Sequence, residues 1–337
     1  MGAVQQSPRV AIRDVAARAA VSPSSVSNYL NRRDRLSAPM QARIAAAIAE
    51  LGFVPNDAAR QLRVGESPLV GIVAFETANP FFVQFAEAVE KEVEARGLFA
   101  FSALSNGDPR RERAYLDQLE RQRVRGILIA PAGHVEERLL QLTGRGIPSV
   151  IFGRRSEAPE VSSVSSDDHA GGYAAVRHLA EQGRHRVAVI GAGFDVAQIG
   201  ARLGGALRAG SEFDVAIEVI DAGTRTLEGG RTAGAVLAGN SGQRSFDGVF
   251  AMNDLLAIGV LEQLLSAGVA VPERLALVGY DDIPFARSTA VPVTSVAHDH
   301  AELGRRAVRI LLDGTGSPER LVLQPGLRVR ASSVGAA

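Results

Sequence analysis

From Pro68 onward, short apolar runs alternate with stretches of helical periodicity, and this alternation restricts the fold more than any other feature. The runs LVGIVA (69–74), LFAFSAL (98–104), GILIA (126–130), SVIF (149–152), VAVIG (187–191), VAIEVI (215–220), GVFAM (248–252) and LALVGY (275–280) read as strands. Helical patterns lie between them, at 81–96, 109–123, 170–182 and 254–267. Continuous apolar runs joined by helices argue for parallel sheets covered on both faces. The alternation falls in two blocks, about 68–163 and 164–290, with a tail at 291–333. Two doubly wound halves on a hinge place a ligand cleft between them, outside the carboxyl ends of the strands.

Residues 8–54 differ in kind. The stretch AIRDVAARAAVSPSSVSNYLN sets Ile12, Val15, Ala16 and Ala19 on one helical face, breaks at Ala20-Val21-Ser22 and resumes with Pro23. Two short helices on a tight turn are the helix-turn-helix pattern, whose second helix enters the DNA major groove. The outward residues of that helix, Ser24, Ser25, Ser27 and Asn28, are short and polar. A merely solvated face would carry Glu and Lys, whereas one approaching base edges carries small hydrogen-bonding groups. A third helix is expected after Ser37, with Pro39 in its first turn and Gly52 at its end. Val15, Val26, Leu30, Ile44, Ile48 and Leu51 would form a mini-core, so Val26, Tyr29 and Leu30 read as packing before contact.

Charge separates the same two parts. Residues 1–63 hold nine Arg against Asp14, Asp34, Glu50 and Asp57, a net +5; the rest holds 28 basic and 33 acidic residues, a net −5. A basic head on an acidic body suits a polyanion partner for the head alone. No Cys is present, which excludes disulfides and thiolate metal sites. No apolar run long enough to cross a membrane occurs and Met1–Val10 lacks the core of a signal peptide, so a cytoplasmic location and no membrane partner are expected. Lys91 is the only lysine and sits among glutamates in AEAVEKEVEARG, which argues against a Walker phosphate loop and a Schiff-base site.

The segment PNDAARQLRVGES (55–67) reads either as a plain linker or as a short hinge helix. About two turns are marginal alone. In the second reading Arg60 and Arg63 meet phosphate, and Leu62 wedges between base pairs in the minor groove when DNA orders the segment.

The fragments IRDVAARAAVS, VSNYLN, ARIAAAIAELGFVPNDAARQLR, NPFF, GILIAP, ARLGGAL, AMNDLLAIG, ALVGYDD and ELGRRAV, in this order over residues 10–333, resemble the lactose-repressor (LacI) family. The resemblance implies a multidomain protein: an all-α helix-turn-helix head (8–54), a hinge (55–67) and a periplasmic-binding-protein-like α/β body (68–333) of two doubly wound parallel-sheet subdomains, the tail completing both. It implies a homodimer on a near-palindromic double-stranded operator, most often a repressor, controlled by a small-molecule effector such as a sugar or sugar derivative, with no cofactor. The DNA-facing set it implies is Ser22, Ser24, Ser25, Ser27, Asn28, Asn31, Arg35 and Ser37 in the head, with Asn56, Ala59, Leu62 and Arg63 in the hinge. The effector set is Phe81, Phe82, Arg202, Arg225, Asn253, Asp281 and His298, although two aromatics at a helix start serve equally as core. Asp282 reads as structural.

Several residues depart from the family pattern. Ala11 stands where Thr or Ser caps the first helix. Asn28 replaces the usual Arg, which exchanges a guanine reader for a side chain that pairs with adenine. Gly153 replaces a common aspartate, and Arg225 stands near a usual aromatic, with Arg154 close by. If Arg202 and Arg225 both face the cleft, an anionic effector such as a sugar acid or sugar phosphate is expected.

Other readings carry less. GAGFDVA (191–197) fits a dinucleotide-binding fingerprint, yet Glu212 and Asp214 flank the next strand rather than end it. No G-x-S-x-G or HExxH occurs, and His298, Asp299 and His300 are a thin metal set, so no metal and no enzyme activity are expected. A free solute-binding protein would share the body but not the basic head.

Overall fold

The computed structural model describes residues 10–54, 67–75, 79–239, 245–314 and 316–335. The chain divides into two compact units, Met1–Glu66 and Ser67–Ala337. The expected hinge helix, and with it Asn56, Ala59, Leu62 and Arg63, lies outside the described residues.

In the first unit, α1 (Ile12–Arg18), α2 (Pro23–Asn31) and α3 (Ala38–Leu51) enclose Val15, Ala16, Ala19, Val26, Tyr29, Ile44, Ala47 and Phe53. Ala11 supplies no side-chain cap to α1; the Asp14 carboxylate instead accepts the Ala11 N–H at 2.8 Å. Ala20 turns the chain with φ +51°, and Ser22 caps α2 by accepting the Ser25 N–H at 3.1 Å. Ser37 stands before α3 without a side-chain cap bond, and Gly52 ends that helix left-handed. Leu30, Ile48 and Leu51 pack at the margin of this small core, which a bidentate Arg18–Glu50 pair staples from outside.

The second unit opens with β1 (Leu69–Ala74), α4 (Pro80–Glu94), β2 (Phe99–Leu104), α5 (Pro109–Arg121), β3 (Gly126–Ile129), α6 (Glu136–Gly144), β4 (Ser149–Phe152) and β5 (Ser162–Ser166). It continues with α7 (Asp168–Glu181), β6 (Arg186–Gly191), α8 (Ala197–Glu212), β7 (Ala216–Asp221), α9 (Leu227–Gly239), β8 (Gly248–Ala251), α10 (Asp254–Ser266) and β9 (Ala276–Asp281). Last come β10 (Thr294–Ala297), α11 (His300–Asp313), β11 (Arg320–Leu323) and β12 (Gly326–Arg328).

Among the described residues the strands form two six-stranded sheets, β11-β5-β4-β3-β1-β2 and β12-β10-β9-β8-β6-β7, parallel except for the β10–β12 pair. The central strands β1, β3, β4, β8 and β9 are buried along almost their whole length, as covered parallel sheets require. The expected division at 163 falls inside β5, whose pairing with both β4 and β11 keeps 162–166 in the first sheet. Chain order reverses between β1 and β3 in one sheet and between β6 and β8 in the other. Those two reversals open the crevices in which open α/β sheets bind ligands.

Helices α7 and α8 cross at backbone distance. A Cβ on Gly172 or Gly205 would stand 1.9 Å from the carbonyl oxygen of Arg202 or His169, so only glycine permits the crossing. This contact holds Arg202 at one fixed depth. Among the described residues no helix is long and apolar enough to cross a membrane.

Candidate functional site

A cavity of about 380 Å³ lies at the carboxyl ends of both sheets. Phe75 follows β1, Ala130–Gly133 follow β3, and Gly153 and Arg154 follow β4. From the other half come Asp195, Val196 and the first turns of α8 after β6, Arg225 before α9, Asn253 after β8 and Asp281 at the end of β9. Phe81, Phe82, Arg202, Arg225, Asn253, Asp281 and His298 all line this one space.

Phe81 and Phe82 lie inside the first turn of α4, because Pro80 opens the helix and Asn79 caps it. The Asn79 side chain accepts the Phe81 N–H at 3.0 Å and donates to Asp281 Oδ2 at 2.8 Å, which ties the helix start to the opposite half. Phe81 meets Phe82, His298 and His300 edge-on, with ring centroids 5.2, 5.5 and 5.2 Å away. These aromatics are therefore both core and wall.

Arg202 holds the polar centre. Its Nε donates to Asp168 Oδ1 at 2.8 Å and Nη1 to the Met252 carbonyl at 2.6 Å, while Nη2 stands 3.6 Å from Asp281 Oδ1. The guanidinium lies 3.6 Å over the Tyr280 ring, whose hydroxyl donates to Asp168 at 3.0 Å. Burial alone would push the Asp281 carboxyl up, yet Arg202, His298 and Asn79 together hold it below the usual range, so it stays charged. His298 Nδ1 and Ser166 Oγ share a 2.7 Å hydrogen bond; Nε2 stands 3.5 Å from Asp281 Oδ1, and among the described residues it has no hydrogen-bond partner. Asn253 is occupied structurally: its Oδ1 caps α10 at Leu256 N and its Nδ2 donates to the Arg225 carbonyl.

The remaining arginines behave differently. Arg154 is buried and bound to Glu136 at 2.8 Å and to the Gly133 carbonyl at 3.1 Å, so its charge is already answered. Arg225 lies 5.2 Å over the Phe75 ring and has no carboxylate partner among the described residues. Gly153 adopts φ +84°, a conformation an aspartate would hold only under strain.

Sequence reading missed Asp168, Ser166, Asn79 and Phe75. Asn79 had a signal, since Asn before Pro at a helix start is a cap; Ser166 ends, and Asp168 follows, a strand that sequence reading did not detect. Asp282 bonds Arg330, and Asp299 caps α11 at Glu302 N. Among the described residues no three His, Asp or Glu side chains cluster as metal ligands.

In the head, Ser24 and Asn31 are exposed, and Ser25, Ser27 and Asn28 are half-buried on α2. The Ser22 and Ser25 hydroxyls bond each other at 2.9 Å, and Asn31 Nδ2 donates to the Ser27 carbonyl. Arg35 and Ser37 are exposed beside α2, and Arg33 lies 4.5 Å over the buried Tyr29 ring.

The model for bacterial regulatory proteins, lacI family, matches residues 11–56, and that for the periplasmic binding protein-like domain matches residues 158–333. The HTH-type transcriptional repressor PurR of Aliivibrio fischeri is 28% identical over 307 residues, covering 90% of each chain. The PurR of Haemophilus influenzae (strain PittEE) is also 28% identical, over 95% of this chain and 98% of the relative. Among solved structures, a transcriptional regulator CelR–cellobiose complex is 30% identical with TM-score 0.68, covering 96% of this chain and 100% of that one. The lac repressor dimer bound to operator and the anti-inducer ONPF shares the fold at TM-score 0.84 and 21% identity, covering 97% and 100%.

Proposed function

Because the chain belongs to the LacI family of DNA-binding transcriptional repressors, we propose that a neutral sugar in the cavity described above governs its hold on an operator. The observation that carries this reading is the Asp168–Arg202–Asp281 cluster beside three phenylalanines. Sugars offer hydroxyls to carboxylates and an apolar ring face to aromatics. Arg202 already faces two carboxylates, so a third anion there would meet little uncompensated charge. A cavity of about 380 Å³ suits a mono- or disaccharide. The similar CelR structure holds cellobiose, and a LacI-family regulator of Enterococcus faecium, 25% identical, holds ribose. Arg225, without a carboxylate partner among the described residues, favours the second reading, a sugar acid or sugar phosphate whose anionic end meets the Arg225 guanidinium.

On DNA, α2 presents Ser24, Ser25 and Asn28 to the major groove of a near-palindromic operator, one head per subunit of a homodimer. Two hinge segments insert Leu62 at its centre and are held together by the bodies. Effector binding changes that spacing, and by linkage operator binding changes effector affinity by the same factor. Selection of operators from random duplex, followed by anisotropy titration with and without neutral and phosphorylated sugars, tests the whole scheme. Release by neutral sugars alone upholds the main reading; release by phosphorylated sugars alone moves it to the second. Leu62→Ala should weaken operator binding at least about tenfold and leave sugar affinity unchanged.

A further inference from the structure

Asp254 opens α10 with no solvent exposure at all, and its carboxyl group points away from the cavity to the back of the Asp281 turn. Oδ2 accepts the Ile283 N–H at 2.8 Å, and Oδ1 lies 2.7 Å from Ser295 Oγ. Ser295 Oγ in turn accepts the Asp282 N–H at 3.0 Å. One pair of side chains thus fixes both amides that follow Asp281. Those amides belong to a strained path: φ is +99° at Asp281 and +53° at Asp282, a region that a residue with a side chain keeps only where neighbours enforce it. Strand β9 leaves room for the device, since a Cβ on Gly279 would stand 2.2 Å from Asp254 Oδ1.

We propose that Asp254, with Ser295, is the positioning residue of the effector site: by binding the amides of residues 282 and 283 it holds Asp281 and Asp282 in their left-handed path and so aims the Asp281 carboxylate at the ligand. The proposal rests on the reading that Asp281 meets the effector. The two acids divide their duties. Burial, reinforced by the charge of Asp281, pushes the Asp254 carboxyl well above its usual range, whereas Arg202, His298 and Asn79 keep Asp281 ionised. Ser295 Oγ donates to Asp254 Oδ1 while accepting from Asp282, so the hydroxyl passes the hold of the carboxyl group on to the second amide.

Three variants of the full chain test it. Asp254→Ala removes both bonds, Ser295→Ala releases the Asp282 amide alone, and Asp254→Asn keeps the shape and a hydrogen-bonding group at both ends without the charge. Amide hydrogen exchange on the free protein reads the turn; calorimetric titration with cellobiose and with glucose reads the cavity. Asp254→Ala and Ser295→Ala should speed exchange at Asp282 and Ile283 about tenfold and leave Leu277–Tyr280 within about twofold. Sugar affinity should fall about tenfold in both while operator affinity holds, and Asp254→Asn should restore exchange and affinity to within about threefold. Should Asp254→Ala fail to fold, Ser295→Ala carries the same comparison. Unchanged exchange at 282–283 overturns the proposal, as does equal acceleration throughout β9 and α10, the mark of a general packing role. If the unaltered protein binds neither sugar while the exchange pattern appears, the effector reading fails and the anchoring of the turn stands.

Discussion

The Arg202 guanidinium touches four groups from three stretches of the chain, so its truncation has two separable effects. Arg202→Ala leaves Asp168 and Asp281 buried without a cation, which costs about 3–5 kcal/mol in comparable pairs. Calorimetry should find sugar binding abolished, denaturant unfolding should find the body weakened by that order, and operator binding should survive without responding to sugar. Glu136 offers a pH test. Burial pushes its carboxyl up, but Arg154 and the N–H groups of Val135 and Glu157 overrule it and hold the pKa at about 2, below the usual 4.5. A pKa depressed in the folded state means stability fully present above pH 4.5 and lost as pH falls toward 2, on the order of 3 kcal/mol. Glu136→Gln should flatten the fall in stability between those limits, measured by urea melts across pH, and should cost stability at neutral pH by stranding Arg154.

At the scale of elements, α2 and the α7–α8 crossing make opposite demands on sequence. Ser22→Ala removes the α2 cap and should cost the head about 1 kcal/mol, read by its thermal melting. Asn28→Arg should leave that stability nearly unchanged and shift the preferred operator base from adenine toward guanine in a selection experiment. Gly172→Ala forces a methyl group into a carbonyl and should prevent α7 and α8 from docking, so the body should lose cooperative melting. The same elements explain what was legible. Apolar runs such as LVGIVA and SVIF end within a residue of the observed strands, because a sheet covered on both faces leaves no polar position to blur them. Strand β5 escaped because SSVSS carries hydroxyls that the fold satisfies locally: Ser163 Oγ takes the Ser156 N–H, and Ser162 Oγ takes that of Glu319. With β5 unseen, Asp168 and Ser166 were invisible as cavity residues. The arginines were legible, but the charge partners of Arg154 and Arg202 come from distant sequence, so among the described residues Arg225 alone of the three has no carboxylate partner.

Across the whole molecule, charge follows function. The net +5 of residues 1–63 against the net −5 of the rest confines attraction for phosphate to the head. Operator affinity should therefore fall steeply and log-linearly with salt, while sugar affinity stays nearly flat. The chain passes between the two sheets at 166–168, 298–300 and 323–326, and these passages are laterally bonded: His298 to Ser166, Asp167 N to the Leu323 carbonyl, and Gln324 to Asp167. A triple strap of this kind resists sliding and shear but tolerates bending. Hinging of the lobes about that spine is thus the motion the straps oppose least, and Ser166 and His298, two residues of the cavity wall, lie on it. There a small change in gape becomes a large excursion at the far edges of the lobes, so tight fit near the pivot and long reach at the rim come from the same three crossings.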